Sequence, residues 1–425
     1  MTAIVKRSPQ DQKIFESFKR FAEEALTIAI EAGGLRKQTI TNNKARIAAL
    51  ESYQDLLATL LADERACARV RSLVFREGGL NEDDLKGYFE SDVLLRFLEN
   101  YIAQPSGTKF DAKTFEEVFE SVEAFLLQGC HLVRSLAPLC LFEGPDSPIY
   151  LDDESTIRLA TADDLSEISS RTHLLAEGLG PERKQWIVDI SSRIAGVSGV
   201  GVPSDINRAE NILTAIRLTA RGGAYLKFLF STRKYDLSAS SAVPFTSSHL
   251  GTVTKIDGDS VSSLVENLNI LRLETPPELG FAIRRFNQAF ERTEINDRLV
   301  DLVITLESLV VRDGNNGEVS YKFKMRIAAL LGRGKTLEER RSLRSIAKAA
   351  YDFRSSIAHG NPKTPKSILK TLRPMGFYNL AEFTLEIEDL TRELLQLILR
   401  SPEFRDPKLL DDLLLTTSET ETLTG

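Results

Sequence analysis

At 425 residues, with 42% hydrophobic and 27% charged side chains, the composition is that of a soluble globular protein of two or three domains. No run of about 18 apolar residues occurs, and the opening MTAIVKRSPQDQK lacks an apolar stretch of secretory length, so no membrane association and a cytoplasmic location are expected. The net charge of −7 speaks on average against a nucleic-acid partner, but Ser320–Pro374 holds fourteen Lys/Arg against only Glu338, Glu339 and Asp352, a local +11 that leaves about −18 elsewhere.

The first stretch, residues 1–145, reads as helices. Phe15, Phe18, Phe21, Ala22 and Leu26 recur at three- and four-residue spacing. Ala48, Leu50, Tyr53, Leu56, Leu57, Leu60 and Leu61 repeat the pattern, and a further helix is expected from Phe115 to Leu136 with Phe115, Val118, Phe119, Val122 and Phe125 inward. Gly33-Gly34, Gly78-Gly79 and Pro105-Ser-Gly punctuate these elements.

Gly144-Pro-Asp-Ser-Pro148 marks a domain boundary, after which a small α+β region is expected over residues 146–270. Its strands are Ile149–Leu151, Thr156–Leu159, Trp186–Ile190, Ala224–Phe230 and the vicinity of Gly251–Thr254. One helix, about Asp205 to Arg221, interrupts them and is closed by Gly222-Gly223.

A C-terminal helical bundle follows over residues 271–405. Ala282, Ile283, Phe286 and Phe290 mark one helix, and Leu299, Val303, Leu306 and Val310 the next. Asp313–Gly317 is a loop by composition, and a helix from Val319 to Leu331 stops at Gly332. Thr336-Leu-Glu-Glu339 fits a capping box that opens a helix running to about Ala358. A last helix spans Asn379 to Arg400, and residues 406–425 are expected to be a flexible, frayed tail.

Several motifs carry little. Gly334-Lys-Thr336 has the ending of a phosphate-binding loop, but Ala329 stands where its first glycine belongs and a helix precedes it, so a helix stop is the better reading. Gly196–Gly201 (GVSGVG) has no strand–helix frame and reads as a turn. Cys67, Cys130 and Cys140 lack metal-ligand spacing, and His131, His173, His249 and His359 are scattered. No metal and no cofactor are therefore expected.

Arg354-Ser-Ser-Ile-Ala-His359 is the sharpest feature. Histidine exchanges protons near neutral pH, and the Arg fork suits a phosphate in transition. Cleavage of RNA asks for little more, because the attacking 2′-hydroxyl belongs to the substrate. Five residues place the two side chains about 140° apart on an ideal helix. Either the helix ends at His359, as Gly360-Asn-Pro362 suggests, or two copies complete a site across a two-fold axis. The bland account is a His favoured by the helix dipole and a solvated Arg.

The sequence around this pair carries a resemblance. Ala282–Arg292, Asp297–Leu309, Met325–Leu331 and Ala350–Gly360 resemble, in order and approximate spacing, the Apea-like branch of the HEPN superfamily, over about Pro276 to Arg400. Its most specific element is the R-x4-H motif inside a Tyr-x-x-Arg…His-Gly frame. Weaker similarity extends over Ile149–Leu165 and about Asn211–Gly222. The resemblance implies a mainly α protein whose C-terminal HEPN helical bundle dimerises. In active members it implies an endoribonuclease that leaves a 2′,3′-cyclic phosphate without metal.

Arg354 and His359 fall on the motif's two functional positions. Ser355 is the polar residue after the motif Arg, and Tyr351 and Glu307 are supporting candidates, Glu307 against the simpler reading of a helix-surface carboxylate. Arg344, Lys348 and Lys363 are candidate RNA contacts within the +11 stretch; the competing account pairs those cations with Glu382, Glu386, Glu388, Asp389 and Glu393. The implied partners are RNA, a second copy of the chain, and a trigger or regulatory protein on the upstream regions, in the toxin–antitoxin or antiviral settings where such domains often act. The alternative is a catalytically inactive HEPN scaffold that binds RNA or protein. A nucleotide-transferring enzyme lacks a nucleotide-cradling loop here.

Overall fold

The computed structural model describes residues 7–34, 36–73, 80–104, 109–171, 184–195, 203–234, 240–245, 252–273, 276–311, 318–360 and 364–416. The protein is mainly helical, with a small sheet region in the middle.

Eight helices come first: α1 (Pro9–Glu31), α2 (Lys37–Asn42), α3 (Lys44–Ala48), α4 (Glu51–Ala62), α5 (Glu64–Leu73), α6 (Glu82–Tyr88), α7 (Arg96–Ala103) and α8 (Ala112–Leu126). A π-helical segment, Phe89–Leu95, joins α6 to α7. Ser8 caps α1 by accepting the Asp11 N–H, and Asp111 caps α8 by accepting the Thr114 N–H. The periodic aromatics Phe15, Phe18, Phe115 and Phe119 pack with one another and with Phe97, mostly edge to face, at centroid distances of 5.1 to 5.8 Å. Gly78-Gly79 and Pro105-Ser-Gly107 lie outside the described residues.

The sheet then begins earlier than expected. The helix predicted to reach Leu136 ends at Leu126; Gly129, at φ +67°, turns the chain into strand β1 (Cys130–Cys140). Leu132, Val133, Leu136, Ala137 and Leu139 imitate helical spacing, but β1 is a central strand covered on both faces, so its apolar residues do not alternate. The strands that follow are β2 (Phe142–Glu143), β3 (Ile149–Tyr150), β4 (Ser155–Leu159), β5 (Trp186–Ala195), β6 (Tyr225–Leu226), β7 (Phe228–Arg233), β8 (Ser240–Pro244) and β9 (Thr254–Lys255). The main sheet runs β3-β4-β5-β1-β7-β8, antiparallel throughout, with β6 also on β1; β2 and β9 form a separate parallel pair.

More than one helix interrupts these strands. α9 (Ala162–Arg171) and α10 (Pro203–Thr219) both do, and α11 (Ser260–Leu271) follows the last strand. Ile168 of α9 packs with Leu136, Ile187, Phe228 and Phe230 on one sheet face, while the opposite face, with Ala137, Val188 and Leu229, joins the core shared with α10.

The bundle comprises α12 (Pro277–Ala289), α13 (Ile295–Val310), α14 (Val319–Leu331), α15 (Leu337–Ala358), α16 (Pro365–Leu372), α17 (Leu380–Arg400) and α18 (Pro407–Thr416). One continuous apolar cluster reaches from Ala137 in the sheet to Leu410 in α18, whereas the N-terminal helices have their own, Ile14 to Leu126. Polar ties reinforce the larger core. Arg392 Nε donates to the Arg217 carbonyl at 2.7 Å, and Gln396 donates to the Leu218 carbonyl, so α17 caps the end of α10. Arg298 on α13 and Arg392 both pair with the buried Glu388 of α17.

The expected flexible tail is corrected in its first part. Residues 407–416 form α18; Leu410 is buried, and Asp411 pairs at 2.8 Å with Arg326, whose side chain is fully buried. Arg326 also donates to the Val310 carbonyl at 2.7 Å. Residues 417–425, Gly196–Gly201 and Asp313–Gly317 lie outside the described residues. Among the described residues, no helix is long and apolar enough to cross a membrane.

Candidate active site at the end of α15

The helix that carries the motif is strongly specified at both ends. Thr336 Oγ1 accepts the Glu339 N–H at 3.3 Å, and Glu339 accepts the Thr336 N–H at 2.7 Å, the reciprocal capping box expected from the sequence. Gly332-Arg-Gly-Lys335 is the turn out of α14, not a phosphate cradle. A Cβ on Gly332 would lie 2.2 Å from the Ala328 carbonyl oxygen, and Arg340 Nε donates to the Gly332 and Lys335 carbonyls at 3.1 Å each.

At the other end His359 is the C-cap, at φ −89° and ψ 11°, its N–H donating to the Ser355 carbonyl at 3.1 Å. Gly360, at φ +67°, donates to the Ile357 carbonyl at 3.0 Å and takes the chain out of the helix in the left-handed conformation a side chain disfavours. His359 therefore stands exposed where the helical ladder stops.

Arg354 lies just over one turn earlier. Its Nη2 is 3.3 Å from Oε2 of Glu307 on α13, with the two side chains 28% and 23% exposed. The contact is poorly formed for a guanidinium fork. Arg354 Nε and Glu307 Oε2 are both buried atoms without a hydrogen-bond partner. A bidentate pair would have used that Nε.

The remaining candidates separate. Tyr351 is half-buried and packs its ring on Phe323 at 5.4 Å at the edge of the core. Ser355 is half-buried, while Arg344 and Lys348 are exposed, with Lys348 pairing at 3.1 Å with Asp352. On the helical wheel Arg341, Arg344, Lys348, Ser355 and His359 fall within about 60° of one another, whereas Arg354 lies about 80–140° away. Arg341, also exposed, was not among the candidates; its spacing of three from Arg344 and seven from Lys348 was the signal that could have found it. Lys363 lies outside the described residues, as do His173 and His249.

The charges around the site are not arranged as the competing account had it. Glu388 is taken by Arg298 and Arg392, Asp389 by Arg221 and Arg392, and Glu382 accepts the Tyr378 N–H at 2.9 Å as part of the α17 cap. Arg326, counted in the +11 stretch, is a buried structural cation. Among the described residues, no carboxylate pairs with Arg341, Arg344, Lys366, Lys370 or Arg373, and no group of three or more His, Cys, Asp or Glu is placed to hold a metal ion.

Comparisons of the chain with family models, with curated proteins and with solved structures find no match.

Proposed function

We propose that this protein is a metal-independent endoribonuclease of the HEPN type, with Arg354 binding the scissile phosphate and His359 exchanging protons. The supporting observation is the end of α15, where an exposed imidazole at the helix stop follows a guanidinium whose Nε is buried and unpartnered. The step needs only the substrate's own nucleophile. The 2′-oxygen attacks phosphorus as its proton leaves to a base. The 5′-oxygen departs with a proton from an acid, and a 2′,3′-cyclic phosphate remains. Arg354 stabilises the charge that builds on the non-bridging oxygens.

Because the two side chains lie about 140° apart on an ideal helix, a homodimer that sets two α15 ends against each other supplies both groups to one phosphate. The upstream regions then answer to a trigger or regulatory protein.

The test is cleavage of a mixed RNA in EDTA by wild type, Arg354→Ala and His359→Ala. Wild type produces cyclic-phosphate ends, and both variants lose activity while keeping wild-type circular dichroism. Unchanged cleavage by His359→Ala sinks the assignment. A second reading, an inactive RNA-binding or protein-interaction scaffold, is favoured by the Glu307 contact, since a carboxylate beside Arg354 offsets the charge a phosphate requires. Under that reading wild type binds RNA and leaves it intact.

A further inference from the structure

We infer that α16 is the track that holds the phosphodiester backbone of single-stranded RNA beside the Arg354–His359 site, an inference that rests on the ribonuclease reading above. An open groove of about 690 Å³ lies on this helix; its lining includes Thr364, Lys366, Ser367, Lys370 and Arg373 and, among the described residues, no carboxylate. All five are exposed. Other cations of the bundle, such as Arg298, Arg326, Arg354 and Arg392, have an acidic partner. Lys366, Lys370 and Arg373 have none among the described residues.

Their spacing is what a repeated anion needs. Positions i, i+4 and i+7 fall within about 60° on a helix and about 6 and 10 Å along its axis, so the three charges form a row. A single small anion uses one or two such groups, whereas a row interleaved with Thr364 and Ser367 hydroxyls fits successive phosphates. The opposite face fixes the row in place. Leu372 is fully buried, Ile368 packs on the main core, and the Arg373–Met375 turn sits against α15. The groove is also near the chemistry. Thr364 follows His359 by five residues, which span at most about 18 Å.

Among the described residues the groove's lining contains no aromatic side chain on which a base could stack, so recognition is of charge and not of sequence.

The experiment measures binding of a 2′-O-methyl oligouridylate, which cannot be cut by 2′-attack, by fluorescence anisotropy across a salt series. It compares the full-length protein with Lys366→Gln/Lys370→Gln/Arg373→Gln. Expected is weaker binding by the triple variant, with a log–log salt slope shallower by about 2, as three lost phosphate contacts on a single strand require. All three substitutions are at exposed positions, and circular dichroism checks that the fold is kept; Lys366→Glu/Lys370→Glu/Arg373→Glu weakens binding further. An unchanged slope and affinity overturn the inference, as does binding to anionic phosphatidylserine vesicles that the triple variant loses while RNA binding stays the same. Because the probe is not cleavable, the groove is read independently of catalysis. Unmodified RNA left intact alongside groove-dependent binding rejects the nuclease reading, not the track.

Discussion

Arg354 and Glu307 meet through one nitrogen and one oxygen, 3.3 Å apart, although each keeps a buried polar atom without a hydrogen bond. The pair couples α15 to α13 and is less than one-third exposed on both sides, which places its strength near the upper end of surface ion pairs, about 1 kcal/mol. A double-mutant cycle of Glu307→Ala and Arg354→Ala in urea unfolding is therefore expected to return a coupling of about 0.5–1 kcal/mol. A coupling of zero would show that the carboxylate does not hold the guanidinium.

Glu388 is the opposite case. It is 1% exposed and faces two buried guanidinium groups, Arg298 and Arg392. Removing it strands Arg298 away from water and leaves Arg392 only Asp389 as an acidic partner, so Glu388→Ala should cost about 3–5 kcal/mol. Replacing Glu382, which only accepts N–H groups at the exposed start of α17, should cost about 1 kcal/mol. Chemical denaturation of both variants ranks them; similar losses would mean that the buried cluster relaxes.

Acid sensitivity should centre on Asp164. Burial alone would push its carboxyl up, but hydrogen bonds from Arg158 and Thr161 and the charge of Arg134 outweigh burial and hold it well below the usual carboxylate range. Arg134 at 2.8 Å and Arg158 at 2.7 Å supply those contacts. With the folded-state pKa depressed, the stabilisation is complete above the unfolded-state value of 3.8 and is lost as pH falls below it toward the folded value. Asp164→Asn is expected to be less stable at neutral pH and to show a shallower loss of stability between about pH 5 and pH 2. Equal slopes in variant and wild type would assign acid unfolding elsewhere.

Gly222 tests a backbone requirement. Its φ is +140°, and a Cβ there would lie 2.3 Å from Thr254 Oγ1 and 2.5 Å from Thr254 Cα. Thr254 is fully buried, and its hydroxyl accepts the Ala224 N–H at 3.0 Å. Gly222→Ala should destabilise by about 2–4 kcal/mol, from conformational strain together with the clash. Gly334→Ala, also at positive φ but with open space around it, should cost less. Thermal melts of the two variants decide.

The parts of the fold legible from sequence are those with local rules. Thr336 and Glu339 announce the start of α15, and Gly360 its end, because capping is a matter of a few neighbouring residues. β1 was not legible. Its apolar residues face helices on both sides, and that burial is fixed by β5 and β7, far along the chain. α18 was missed for a related reason. Leu409, Leu410 and Leu413 look like a polar tail's occasional leucines until Arg326 supplies a buried partner for Asp411. At the candidate site, the motif residues and the helix end could be read in advance, but the geometry of the Glu307 contact and the cation row on α16 could not. The first depends on which helix faces which, and the second on α16, a helix not expected between Ala358 and Asn379.

The hydrogen bonds from α17 to the final carbonyls of α10 make one end of the sheet region depend on distant sequence. Gln396 reaches Leu218 across 178 residues of sequence, and Arg392 reaches Arg217 across 175. Without α17, the end of α10 has bare carbonyls and an uncovered apolar flank. The end of α10 is therefore completed only by residues from α17. A chain broken off before Arg392 would leave the Arg217 and Leu218 carbonyls without these partners and expose the flank of α10 that α17 covers.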